Sequence, residues 1–170
     1  MSIMTNKLFL VLTLLSALGC GLVGGVFFAF STFVMKALAA LSPPQGIAAM
    51  KSINIAVLNP MFLGVFFGTG LLCIILVISS ALAWHKPGAA LTLVGGILYL
   101  VGTLLVTITC NVPRNDALAG LDPIGAESAQ FWTDYVRIWT AWNHVRTISA
   151  VAASVLMMIA LWFSALRQSA

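Results

Sequence analysis

Nine residues, W-T-A-W-N-H-V-R-T at 139–147, gather two indoles, an amide, an imidazole and a guanidinium in a chain that is only 7% charged. These groups suit proton transfer and oxyanion stabilisation. A His is the side chain that serves as a base near neutral pH. An Arg is a permanent cation, and an amide beside it adds a second donor for developing negative charge. At about 100° per residue, Trp139, Trp142, Asn143 and Arg146 fall at i, i+3, i+4 and i+7 on one helical face. Ala150, Ala153 and Met157 continue that face, leaving room beneath the polar groups. Such a face reads as a pocket wall. It also fits a membrane-interface belt, with Trp at headgroup level and Arg snorkelling to it. His144 points well over 90° from the same face, so a joint His–Arg action needs another helix or a broken helix start.

Two more polar clusters stand at the ends of apolar runs. One is I-N-I-A-V-L-N-P-M-F at 53–62, with Asn54 and Asn59 in or near the membrane and Pro60 placed to kink or restart a helix. The other is N-V-P-R-N-D at 111–116, where Asn111 leaves an apolar run, Pro113 stops it and Asn115 follows. Intramembrane amides are costly unless bonded, so they face the bundle or a cavity. Capping and turn formation are the other role open to both clusters. Other chemistries lack their residues: there is no metal-ligand spacing, no Ser-His-Asp arrangement, no phosphate-binding glycine loop and no pair of intramembrane His for haem. Cys20, Cys73 and Cys110 are scattered without a C-x-x-C and read as free buried thiols.

The frame around these groups is apolar. The 170 residues are 61% hydrophobic, with a mean hydropathy of +1.09, which excludes a soluble globular domain. The net charge of +4 comes from flanking Lys and Arg; no basic run exists to track nucleic acid. Spans are expected at about 8–34, 54–84, 89–110 and 144–166, lengths that suit a core of roughly 30 Å at about 1.5 Å per residue. Residues 37–53 form a connector broken at Ser42-Pro43-Pro44, and a short interfacial helix over 130–137 precedes the fourth span. The fold class is therefore all-α, a four-transmembrane-helix bundle in one domain, 1–170. The pairs Gly21/Gly25 and Gly64/Gly68 let helices approach closely, within the chain or in a homo-oligomer. Four spans put both termini on one side, so Asn54, Asn59, Asn111, Asn115, Asn143, His144 and Arg146 meet at one end of the bundle. The other end has no comparable set. Lys and Arg counts leave the orientation open.

In these same residues the chain resembles the anthrone oxygenase-like integral membrane family. The resemblance rests on G-G-V-F-F-A-F-S-x-x-V-M at 24–35, I-N-x-x-V-L-N-P-x-F at 53–62, N-V-P-x-N-D-A-L at 111–118 and W-x-x-W-N-H-V-R-T at 139–147. Lys36 departs from the Pro expected after V-M, which bears on the helix end. The resemblance implies a four-helix protein of a bacterial inner (plasma) membrane. Some fungal relatives oxidise anthrones to anthraquinones with molecular oxygen, without a metal or flavin cofactor.

That chemistry suggests roles. A flat aromatic lipophile entering from the bilayer stacks on Trp139 and Trp142. Loss of a proton from the CH₂ between two rings gives an electron-rich anion that reduces oxygen directly, and the peroxide loses water to give the quinone. His144 is the expected base, Arg146 the oxyanion holder with Asn143 and Asn111, and Asn54, Asn59 and Asn115 line the site. The alternative is a non-catalytic membrane protein that binds a small lipophile or serves as an assembly subunit.

Overall fold

The computed structural model describes residues 3–166; Arg167, expected to close the fourth span, and the first two residues of the polar start lie outside the described residues. Five helices follow in order: α1 (residues 3–39), α2 (Pro43–Ala56), α3 (Pro60–Leu82), α4 (residues 89–120) and α5 (Ser128–Leu166). Four stretches, Lys7–Ala39, Pro60–Leu82, Ala89–Gly120 and Ser128–Leu166, are long and apolar enough to cross a membrane. The chain is a multi-pass, all-α four-helix bundle.

Prolines and their neighbours set the helix boundaries. Ser42 is extended and Pro43 and Pro44 open α2, where their missing N–H groups would have no helical partner anyway. Asn59 separates α2 from α3. Its backbone is extended ahead of Pro60, as a residue before proline must be. Its side chain accepts from the Phe62 N–H at 2.9 Å and donates to the Ala56 carbonyl at 3.0 Å, capping the start of one helix and the end of the other. A single helix is therefore not drawn through 54–84: Asn54 belongs to α2. At the opposite end Gly88 turns the chain into α4 with φ of 77°, where a side chain would also strike the Ala160 carbonyl.

α5 is the longest element at 39 residues, about 58 Å at 1.5 Å per residue. The helix expected over 130–137 and the fourth span form this one rod, because nothing between Ser128 and Leu166 breaks it: no Pro or Gly occurs there. α5 packs on α1 and α4, while α3 packs on the other sides of the same two helices, so α3 and α5 are diagonal. Small residues bring the axes close. A Cβ on Gly102 of α4 would overlap the side chain of Ser149 on α5.

Two cores result. The membrane core joins Cys20, Val23 and Phe27 of α1, Phe66 and Cys73 of α3, Tyr99 of α4 and Ala150, Ala153 and Met157 of α5. The second lies at the connector end, where the first three turns of α5 carry Trp132, Tyr135 and Trp139 against Met35, Ile47, Met50 and Leu118. Here Gly46 lets α2 lie flat on the Trp132 ring.

Candidate functional site

The polar groups sit where the two cores meet. Trp139, Asn143 and Arg146 are 5%, 0% and 4% exposed, and Ala150, Ala153 and Met157 continue their face at 0%. One side of α5 thus supplies both the apolar seam and the polar set above it.

Asn143 is fully engaged. Its Nδ2 donates to the Phe27 carbonyl and to Ser31 Oγ, both at 2.7 Å, and its Oδ1 accepts from Arg146 Nη2 at 2.6 Å. Ser31 and Thr147 hydroxyls lie 3.1 Å apart, and Thr147 donates back to the Asn143 carbonyl at 2.8 Å. Asn143 therefore positions Arg146 and locks α1 to α5. The guanidinium carbon lies 4.2 Å from the centre of the Phe27 ring and 4.9 Å from that of Trp139, a cation between two aromatic faces. Nη1 reaches Thr107 Oγ1 on α4 at 3.4 Å. Arg146 Nε is buried and has no partner. The one ion pair among the described residues is Arg137–Asp134, so no carboxylate neutralises Arg146.

α4 supplies the facing wall. Its ladder loosens into π-helical turns over Leu98–Leu105 and Thr107–Asn111, where Pro113 removes the next donor. The Val112 N–H bonds back to the Thr107 carbonyl. Such turns recur at functional sites; α1 has another over Phe30–Val34, carrying Ser31. Asn111 is 1% exposed and donates to the Trp139 carbonyl at 3.2 Å, while its Oδ1 is buried without a partner. Asn115 Oδ1 accepts from Tyr135 Oη at 2.8 Å and from Trp139 Nε1 at 2.9 Å.

Tyr135 leads outward. Trp132, Tyr135 and Trp139 form a stack of rings with centroids 5.6 Å and 6.5 Å apart. Phe131 and Tyr135 also line a cleft of about 640 Å³ between the last turns of α4 and the first of α5. Glu127 and Asp134 are on its wall; Asp134 is held by Gln130 and Arg137.

The structure thus brings together Arg146, Asn143, Trp139, Asn111 and Asn115. Asn54 lies close to the Tyr135 hydroxyl from α2. Three expected members are elsewhere. Asn59 is an exposed helix cap. Trp142 is 36% exposed at the edge of the buried face. His144 is exposed and lines a separate hollow between α1 and α5, since an unbroken helix carries it away from Arg146. Ser31, Thr107 and Tyr135 are additional members. Thr107 was open to detection four residues before Asn111, and Ser31 in F-A-F-S. Among the described residues, no group of three or more His, Cys, Asp or Glu is arranged to hold a metal ion.

The family model described as anthrone oxygenase matches residues 61–156, which take in Asn111, Asn115, Asn143 and Arg146. No curated protein matches the chain, and no solved structure does.

Proposed function

The chain belongs to the anthrone oxygenase family, and from that premise we propose that it oxidises an anthrone-like or related aromatic lipophile with molecular oxygen. The observation that carries this reading is Arg146: a buried cation with an unpartnered Nε and no carboxylate. A buried charge left unneutralised is costly. It is suited to an anion that forms only during reaction, the condition under which binding accelerates chemistry.

The flat substrate enters by way of the cleft, past Phe131 and Tyr135, and moves on between the helices until its carbonyl oxygen meets Arg146. Deprotonation of the CH₂ opposite that carbonyl spreads charge onto the oxygen, where Arg146 stabilises it and Asn143 fixes the guanidinium. Water reaching the site takes the proton, because Glu127 and Asp134 stand roughly 28 Å and 18 Å along the α5 axis from Arg146 at about 1.5 Å per residue. The carbanion transfers electrons to O₂ and forms a C–O bond. The hydroperoxide then loses water across the C–H and O–O bonds, so one oxygen atom enters the product and the other leaves as water. His144 has no part in this scheme.

The test is turnover of a simple hydroxylated anthrone under ¹⁸O₂ by purified protein in detergent, with heat-killed protein as the control for oxidation in air. We expect uptake above the control and a single ¹⁸O in the quinone. No uptake from well-folded protein would overturn the reading in favour of a non-catalytic lipophile-binding protein, a role that the Asn143–Arg146 tie between three helices also suits.

A further inference from the structure

The hollow that holds His144 is separate from the oxygenase reading. It measures about 340 Å³ and lies between α1 and α5. Lys36 comes from α1, Arg137, Thr140 and His144 come from α5, and the buried Ser31 closes it; no carboxylate lines it. Arg137 keeps Asp134 at 3.0 Å, with both side chains largely exposed. Thr140 Oγ1 is buried and lacks a partner.

Its depth in the membrane follows from α1. Residues 8–35 carry no charge and Lys36 ends the run, which puts the hollow at headgroup level. Below it the two helices turn apolar residues outward. On α1, Phe28 is 55% exposed, and a Cβ on Gly25 would meet nothing. On α5, one and two turns below His144, Ile148 and Val151 are 68% and 43% exposed. Two cations, an imidazole and a free hydroxyl thus stand above a continuous apolar stripe.

We propose that this hollow binds the phosphodiester of an anionic phospholipid, whose acyl chains run along Phe28, Gly25, Ile148 and Val151. Lys36 and Arg137 provide the charge, and Thr140 and His144 provide directed hydrogen bonds to phosphate oxygens. A zwitterionic headgroup would bring its own cation against Lys36 and Arg137. A free phosphate would leave the stripe unused.

The experiment is native mass spectrometry of the full chain in detergent, titrated with phosphatidylglycerol or with phosphatidylcholine of the same acyl chains. Inorganic phosphate is added as a competitor, and the readout is independent of turnover. We expect one retained phosphatidylglycerol, bound about 25-fold more tightly than phosphatidylcholine, the product of about fivefold for each of the two cations. The Lys36→Gln/Arg137→Gln double variant removes that preference, Thr140→Val weakens retention severalfold, and Lys86→Gln, at the other end of the bundle, leaves it intact. Equal retention of both lipids overturns the proposal, as does a double variant that binds like the wild type. Full displacement of the lipid by millimolar inorganic phosphate also overturns it, assigning the hollow to a free anion.

Discussion

Replacing Asn143 separates its two roles. The side chain is fully buried and makes three hydrogen bonds, to the Phe27 carbonyl, to Ser31 Oγ and to the Arg146 guanidinium. On soluble-protein scales two neutral bonds at about 1 kcal/mol and one charge-assisted bond at about 1.5–3 kcal/mol sum to roughly 3.5–5 kcal/mol. Interhelical bonds in membranes average nearer 0.6 kcal/mol, or about 1.2 kcal/mol for the two to α1, with the bond to Arg146 inside α5 added to that. Asn143→Leu should therefore cost about 2–4 kcal/mol. At roughly 2–4 °C per kcal/mol for a chain of this size, thermal unfolding in detergent should fall by about 5–15 °C. Asn143→Asp keeps the acceptor for Arg146 and adds a neutralising charge, so it should lose less stability than Asn143→Leu. It should still lose oxygen uptake, because Arg146 is then already paired. If Asn143→Leu unfolds within 1 °C of wild type, or if Asn143→Asp retains full uptake, Asn143 does not hold Arg146 as a free cation.

Other expectations are direct. His144→Ala should keep wild-type oxygen uptake, measured under the same conditions, because its side chain lies outside the Arg146 network. Asn59→Ala should lower stability by about 1 kcal/mol through loss of the cap on α3, visible as a drop in melting temperature with uptake per folded protein unchanged. Gly102→Val should destabilise by roughly 1–3 kcal/mol through overpacking against α5; Ser149→Ala should restore only part of the melting temperature, because Ser149 Cβ also stands in the way.

The four apolar rods were legible because lipid imposes a simple rule: every backbone group is bonded inside a helix and nearly every outward side chain is apolar. The gathering of polar residues at one end followed from topology, and the Trp139–Asn143–Arg146 face from helical pitch. Trp142 sits at the edge of that face, where whether it is buried depends on the neighbouring helix rather than on spacing. Asn59 and Asn54 looked alike as amides beside an apolar run. Only the backbone break before Pro60 makes one a cap and sends the other onto α2. The π-helical turns that aim Ser31, Thr107 and Asn111 left no pattern in composition, since they arise from tertiary packing and from the donor that Pro113 removes downstream. The unpartnered Arg146 Nε and Asn111 Oδ1 were likewise hidden, because satisfaction of a polar group depends on three helices at once.

The most direct measurement of the central claim is the initial rate of oxygen uptake on a hydroxylated anthrone by wild-type and Arg146→Gln protein, each matched for folded fraction by thermal unfolding. A cation that stabilises the developing oxyanion predicts a fall of about 10²–10³-fold in Arg146→Gln, down to the heat-killed background. A folded Arg146→Gln protein with wild-type uptake would contradict that claim.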